Sequence, residues 1–220
     1  MEERKLTLTF GAEGYIAHPY WPEMERWINI TKESGMARTR SGANRDAALN
    51  AHLRAIDMTR EQYDELVRLA HRHWYTWNDV LNPEEMDGHD PQEIVVPAHQ
   101  LYGALAQAAD EAPAAVRFCK GPQVRTVFHV TDLGTGKTKA DGVWERFAVV
   151  TGGAGNKLSN QRALRTNEYI ANFSASGTLS WTGNRNDEDK IARFLEYTGR
   201  TIGIGASRKM GRGRFEVTLE

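Results

Sequence analysis

Alternating apolar and polar residues mark the start of the chain. In Lys5–Phe10, leucine and phenylalanine alternate with lysine and threonine. This period of two is typical of a strand that buries one of its faces. We predict a β-strand at each end of the chain, Lys5–Phe10 first and Arg214–Leu219 last.

Apolar residues at helical spacing predict helices between these strands. Gln62 stands three residues after Thr59, which is the spacing of a capping box at a helix start. Pro97 closes a short apolar run and suits the first turn of a following helix. The predicted helices are Asn44–Ile56, Met58–His73, His99–Ala109 and Asn186–Tyr197.

The remaining strand patterns lie beside glycine-rich segments. Gln123–Thr131 and Gly142–Thr151 flank Leu133–Thr138, and we predict that they form a β-hairpin. Tyr169–Trp181 predicts another strand, or two strands with a turn at Gly177. Without the long segment that follows the first strand, the element order is β-α-β-β-α-β, the split βαβ plan.

This order predicts an α+β fold: a ferredoxin-like antiparallel sheet, as in RNA-recognition domains, with helices on one face. We expect residues 1–10 and 93–220 to form this core. Residues 11–92 are expected to form a mainly helical insertion after the first strand. Gly11 to Asp90 differs in character from the rest, because it holds four of the six tryptophans and five of the seven histidines.

Composition and charge limit the functions that are open to the chain. Its 220 residues are 40% hydrophobic and 26% charged, with a formal net charge of −1. A chain of this charge does not coat nucleic acid indiscriminately, so any polyanion must bind a local groove or stripe. The single Cys119 excludes an internal disulfide and suits a reducing cytoplasm. We expect a soluble cytoplasmic protein, since no apolar stretch approaches the length that spans a membrane.

One local run departs from this neutral background. Thr198–Phe215, here called the glycine–arginine loop, holds five basic residues and no acid. Glycine allows close backbone approach and positive φ, and arginine supplies forked donors, so the run is typical of an anion trap. We expect a polyanion here, most plausibly a nucleic acid. The basic residues are Arg200, Arg208, Lys209, Arg212 and Arg214.

Other basic segments extend the candidate site. Met36–Arg45 is a basic stretch, and Thr151–Lys157 is a second glycine-rich turn that can form another wall of the same groove or simply leave a strand. The predicted RNA-binding residues are Arg38, Arg40, Lys157, Arg162, Gly203, Gly205, Arg208, Lys209, Gly211 and Arg212.

Two segments resemble motifs of the RAMP superfamily, the RNA-binding proteins of CRISPR systems. Gly203–Val217 resembles the C-terminal glycine-rich loop of that family. Ile94–Leu105 resembles the signature that opens the family's first helix. The matching positions in this second segment are Pro97, Leu101, Gly103, Ala104 and Leu105. The departures are Ala98, His99, Gln100 and Tyr102, where the family has small residues and a base.

The resemblance is closest to the backbone subunits that polymerise along guide RNA in effector complexes. It implies single-stranded guide RNA and further ribonucleoprotein subunits as partners, self-association along RNA, and a role in antiviral defence. It also implies a hairpin that inserts between bases, which Val130–Val143 or Met36–Arg45 would supply. The residues leave open whether RNA or single-stranded DNA is bound.

Two alternatives of other classes stay open. One is a metal-independent endoribonuclease that processes CRISPR repeats, with His99 as the first candidate for a general acid or base and His18 and His129 behind it. The other is a phage-borne mimic that inhibits an effector by occupying a subunit's place. We favour binding without catalysis, because the sequence shows no paired carboxylates and no metal motif.

Two further motifs are excluded as functional signals. Leu133–Thr138 lacks the first glycine of a nucleotide phosphate loop, and Thr131 stands in its place. The pair His71 and His73 has no cysteine or clear carboxylate partner, so we predict no metal. We expect no cofactor.

Overall fold

The computed structural model divides the chain into two compact units. One combines Met1–His18 with Trp74–Glu220, and the other is Pro19–His73. The structure describes residues 2–17, 22–36, 41–70, 74–152, 159–182 and 187–220, and among these it describes no side chain at 2, 22, 24, 146–152 and 159–166.

The larger unit is built on an antiparallel sheet whose first strand is central. The strand β1 (Glu2–Phe10) pairs with β8 (Phe173–Trp181) on one side and with β9 (Phe215–Leu219) on the other. The strand β4 (Phe128–Val130) pairs with β8 on its far side. The first and last strands therefore share one sheet, as we predicted. Within the described chain, the order across these four strands is β9-β1-β8-β4.

Three short strands extend this sheet along β8. Gly134 in β5 (Leu133–Gly134) pairs with Ser176 of β8. The strand β3 (Ile94–Val96) pairs with β5, and β2 (Tyr75–Thr76) pairs with β3. All of these pairings are antiparallel.

The alternation in β1 separates a buried face from a polar face. Leu6, Leu8 and Phe10 are almost fully buried, and the Phe10 ring stacks on Phe173 of β8 with centroids 4.5 Å apart. The other face presents hydroxyl groups, since the threonines of β1 lie opposite the serines of β8. Thr7 and Thr9 lie within 3.2 Å of Ser176 and Ser174, respectively.

Two helices cover the buried face. The helix α5 (Ala98–Glu111) begins directly after Pro97 and buries Leu101, Ala104, Leu105, Ala108 and Ala109. The helix α7 (Glu188–Tyr197) buries Ile191, Phe194 and Leu195, and Phe194 stacks over Phe128 of β4 with ring centroids 6.2 Å apart. This unit is thus a mixed α+β fold with a mainly antiparallel sheet, as the element order predicted.

The predicted hairpin of Gln123–Thr131 with Gly142–Thr151 is wrong. The strand β6 (Gly142–Gly152) pairs instead with β7 (Ser159–Tyr169), from Gly142 opposite Tyr169 to Gly152 opposite Ser159. These two strands form a separate long ribbon. The helix α6 (Val124–Val127) precedes β4, which pairs with a strand about 50 residues further along. Strand pairing is set by contacts that local alternation does not encode.

A turn at Gly177, one of the two alternatives for Tyr169–Trp181, is wrong. Gly177 lies inside the strand β8. The chain turns instead between β7 and β8, where Asn172 has a φ of +48° and Tyr15 bridges to Ile170. A side chain at Gly177 would lie 2.7 Å from Leu133, so close packing explains this glycine.

The smaller unit is helical and has its own core. Its helices are α1 (Pro22–Glu33), α2 (Gly42–Ala55) and α3 (Arg60–Ala70). The predicted capping box is confirmed, because Gln62 N–H donates to Thr59 Oγ1 at 3.2 Å and Thr59 N–H donates to Gln62 Oε1 at 2.9 Å. The core residues of this unit are Ile30, Leu49, Leu53, Tyr63 and Leu66.

In the larger unit, the short helix α4 (Trp77–Val80) follows β2.

Across the described ranges, every helix is too short or too polar to cross a lipid bilayer.

Candidate nucleic-acid interface

The glycine–arginine loop is tightly turned along its whole length. It opens with a π-helical turn, Thr198–Ile202, that continues α7, and it contains a 3₁₀ turn at Arg208–Met210. Five of its residues have positive φ, a conformation that glycine adopts without strain. These residues are Gly203, Gly205, Ser207, Gly211 and Gly213.

Three of these glycines allow the backbone to pack against the protein's own backbone. A Cβ atom at Gly213 would lie 1.8 Å from the Ile204 carbonyl oxygen, and one at Gly205 would lie 2.4 Å from that of Ile16. A Cβ atom at Gly203 would lie 2.6 Å from the Gly213 oxygen. Gly211 differs, because within the described chain nothing lies within 4 Å of its Cβ position. Only Gly211 therefore offers open space for the approach of a ligand.

Backbone hydrogen bonds hold the loop against the segment that follows β1. Ala206 N–H donates to the Ile16 carbonyl at 2.8 Å, and Gly213 N–H donates to the Gly14 carbonyl at 2.8 Å. Ile204 N–H also donates to the Gly213 carbonyl at 2.9 Å, which closes the loop on itself. The loop is a built part of the fold, and its basic side chains project from a fixed backbone.

The cations of the loop have few carboxylate partners. Arg200 lies 3.9 Å from Glu196, an exposed contact of little energetic weight. Among the described residues, the remaining four cations form no ion pair. Arg208 donates instead to the Gln107 amide oxygen of α5 at 3.0 Å, and the Lys209 side chain is exposed.

Arg212 has a different environment. Its guanidinium lies 4.5 Å from the ring centroid of Trp144 and 5.1 Å from that of Tyr169. It also donates to the Glu13 carbonyl oxygen. These two rings stand at the base of the ribbon of β6 and β7, so Arg212 links the loop to the ribbon through cation–π contacts.

Arg214 lies beside a cavity of about 430 Å³. Its Nη1 atom is buried and has no hydrogen-bond partner among the described residues. Burial, together with the nearby charge of Arg208, lowers the pKa of the Arg214 guanidinium below its usual value. An anion in this cavity would relieve both effects, because it would supply an acceptor and an opposite charge to the guanidinium. Arg200 and Glu216 line the same cavity.

A second cleft brings together the two segments that resemble the RAMP superfamily. It has a volume of about 270 Å³ and is lined by residues of α5 and of the loop, namely His99, Gln100, Gly103, Ala104, Gly205 and Arg208. Gln100 is held in place by the Tyr15 hydroxyl, which donates to its amide oxygen at 2.8 Å. Segments about 100 residues apart in sequence thus form one surface.

His99, the candidate for acid–base catalysis, lies in this second cleft. Burial and the charge of Arg125 lower its pKa, and the opposing effect of Asp132 is smaller than that of burial. Its ring meets the edge of the Tyr75 ring with centroids 5.5 Å apart. Because the usual histidine pKa is already below 7, His99 is uncharged at neutral pH.

Several predicted site residues lie outside the described part of the chain. Arg38, Arg40, Lys157 and the pair His71 and His73 are not described. Arg162 lies in β7, and its side chain is not described. The described site therefore consists of the glycine–arginine loop and the elements that contact it.

Sequence reasoning missed the aromatic partners of Arg212. Trp144 stands near the start of β6, inside the predicted strand Gly142–Thr151, and Tyr169 ends β7, although we predicted that it begins a strand. Their meeting depends on the pairing of these strands, which the sequence did not reveal. The only signal available was one aromatic residue near the start of β6 and another at the end of β7.

The segment Leu133–Thr138 also has a clear structural role. Glu93 Oε1 accepts a hydrogen bond from Gly136 N–H at 2.6 Å, and Trp77 Nε1 donates to Glu93 Oε2 at 2.7 Å. A carboxylate thus occupies this turn, where a nucleotide phosphate loop would hold a phosphate. In the part of the chain that is described, no cluster of histidine, cysteine or carboxylate side chains could hold a metal ion.

Comparison with solved structures gives several matches, one of which is described here. No family profile and no curated protein matches the sequence. A chain in the cryo-EM structure of the Type III-B Cmr-beta bound to cognate target RNA is similar with a TM-score of 0.39 and 11% sequence identity. The similarity covers 60% of this chain and 48% of that chain, so this chain spans about half the length of its neighbour.

Proposed function

We propose that the protein is a single-stranded RNA-binding subunit that holds the phosphate backbone through its glycine–arginine loop. The observation that carries this proposal is the set of cations without carboxylate partners in the described chain. Arg208, Lys209 and Arg214 project from the hydrogen-bonded loop, and one buried guanidinium nitrogen of Arg214 has no acceptor among the residues that the structure describes. Phosphate oxygens supply both the charge and the acceptors that such a surface lacks.

The order of the strands and helices supports a finer proposal for the fold. The strands β9, β1, β8 and β4 lie side by side, with α5 and α7 on one face. We propose that this is a ferredoxin-like core with the helical unit as an insertion. In such folds the open sheet face and its neighbouring loops receive single strands. Here that face carries hydroxyl groups that can contact phosphate and ribose.

The resemblance to RAMP backbone subunits suggests how the subunit works. We propose that it is a repeated backbone subunit of a CRISPR-like ribonucleoprotein, with guide RNA and further copies of itself as partners. The long ribbon of β6 and β7 is then the element that inserts between bases. The contacts of Arg212 with Trp144 and Tyr169 would couple the base of this ribbon to the phosphate-binding loop.

A nuclease-protection experiment tests this proposal. The protein is mixed in excess with a labelled single-stranded RNA of about 60 nucleotides and the complex is digested with ribonuclease. We expect a ladder of protected lengths that grows by a fixed increment, since each added subunit would cover the same number of nucleotides. A single-stranded DNA of the same sequence shows whether RNA is preferred. Digestion as complete as that of free RNA would refute the proposal.

One observation favours a second candidate, a metal-independent endoribonuclease. His99 is uncharged at neutral pH and lines the same cleft as Arg208, so a general base and a phosphate ligand lie together. The described cleft offers no second titratable group that could protonate the leaving oxygen. We therefore keep binding without catalysis as the primary proposal.

The two candidates make opposite predictions for RNA integrity. We expect a labelled single-stranded RNA to stay intact during incubation with the protein in the presence of a chelator. The products are resolved by denaturing electrophoresis, and His99→Ala is the matched variant. Cleavage at specific positions that is lost in His99→Ala, while RNA binding is kept, would establish the endoribonuclease instead.

A further inference from the structure

A third cleft of the larger unit has a chemistry opposite to that of the loop. It lies between α4 and the strand β8, beside the open face of the sheet, and its volume is about 590 Å³. This volume lies within the range of small-molecule binding sites. Its lining includes Trp77, His89, Thr131, Asp132, Ser176 and Thr178.

Aromatic rings form one wall of this cleft. The rings of Trp77 and His89 have their centroids 4.3 Å apart. The Trp77 ring is held in place because its Nε1 donates to Glu93, whereas His89 is exposed. Because the Trp77 ring is buried, the exposed ring of His89 is the surface that can stack on a flat heterocycle.

Side-chain oxygen atoms also line this cleft. Asp132 Oδ1 accepts from Ala98 N–H at 2.6 Å, and its second carboxylate oxygen has no hydrogen-bond partner among the described residues. Ser176 and Thr178 add hydroxyl groups from the open face of the sheet. No described lining residue is a lysine or an arginine, so the cleft disfavours phosphate and favours an uncharged group that donates hydrogen bonds.

The cleft adjoins the candidate RNA site. Ala98, the first residue of α5, lines this cleft, and the next residue, His99, lines the cleft that contains Gly205 and Arg208. A strand whose phosphates lie on the loop can therefore place a base on the other side of the first turn of α5.

We propose that this third cleft binds one nucleobase of the strand and prefers a base with an exocyclic amino group. The inference rests on the proposed function, because a strand must first be bound. Cytosine and uracil give the sharpest comparison, since they have the same size and differ only at positions 3 and 4. Cytosine has an amino donor at the 4-position, which pairs with the second carboxylate oxygen of Asp132. Uracil has a carbonyl acceptor at that position and its donor at N3 instead, so it does not make the same pair.

The experiment compares the affinities of oligo(rC) and oligo(rU) of equal length at pH 8 by fluorescence anisotropy. We expect the wild-type protein to bind oligo(rC) about three- to tenfold more tightly. In Asp132→Asn, the amide oxygen can still accept a hydrogen bond from Ala98 N–H, while the amide NH₂ group faces the cleft. The preference for oligo(rC) over oligo(rU) should then disappear or reverse. Asp189→Asn, an exposed carboxylate of α7, is the matched control and should keep the wild-type ratio.

A second variant guards against misfolding of Asp132→Asn. His89 is exposed, so His89→Ala should fold normally, which circular dichroism verifies, and it should bind oligo(rC) about three- to tenfold more weakly through lost stacking. If the wild-type protein binds oligo(rC) and oligo(rU) equally tightly, this inference alone is overturned. It is also overturned if Asp132→Asn keeps the wild-type ratio of the two affinities and His89→Ala keeps the wild-type affinity for oligo(rC). Binding of neither polymer would overturn the proposed function and this inference with it.

Discussion

Replacing Gly213 with alanine is expected to destabilise the larger unit by about 3–5 kcal/mol. Gly213 has a φ of +73°, and a Cβ atom there would lie 1.8 Å from the Ile204 carbonyl oxygen. The new methyl group must separate two backbone segments that are hydrogen-bonded to each other and to Gly14. The free energy of unfolding, measured by urea denaturation, reports the loss.

Gly211→Ala is the matched control for this prediction. Gly211 has a φ of +85°, but within the described chain its Cβ position faces open space. The variant therefore incurs only the backbone strain of alanine at positive φ, about 1–2 kcal/mol. A similar loss in both variants would mean that the Gly213 contact does not hold the loop together.

The double variant Arg208→Gln with Arg214→Gln is expected to weaken binding of single-stranded RNA by about tenfold or more. Each lost phosphate contact also lowers the slope of log K against log salt by about 0.7 on a single strand, so two contacts lower it by about 1.4. The loss of affinity should be similar for RNAs of any base sequence, since phosphates carry no base identity. Arg212 is left intact, because its replacement would also remove the contacts with Trp144 and Tyr169.

Binding is measured by fluorescence anisotropy at several salt concentrations. The control is Lys139→Gln with Arg193→Gln, which removes two exposed cations that line none of the described clefts discussed above. This control variant should leave the slope of log K against log salt unchanged. If the loop variant keeps both the affinity and the slope of the wild type, the loop is a solvated turn and the proposed function fails.

Local patterns predicted the elements whose stability depends on near neighbours in the chain. The alternation in Lys5–Phe10 became the central strand β1, and the spacing of Thr59 and Gln62 became a capping box. The proline before α5 marked the start of that helix within a residue or two. These signals are readable because period and capping involve residues that are at most a few positions apart.

Pairing between distant segments was harder to predict. The strand β4 pairs with β8 and β6 pairs with β7, although the sequence favoured a hairpin between neighbours. A strand pattern shows which face is buried, but it does not show which of several similar strands will lie alongside.

The sequence by itself determined an α+β fold, one sheet that contains both end strands, and a basic loop without acids. Only the tertiary structure decided how that loop is built. Gly203, Gly205 and Gly213 pack against the protein's own backbone, and Arg212 lies on two aromatic rings. Arg214 has a buried donor without an acceptor among the described residues. The physical reason is that composition records which groups are present, whereas burial, approach distance and partner choice arise when segments about 100 residues apart are brought together.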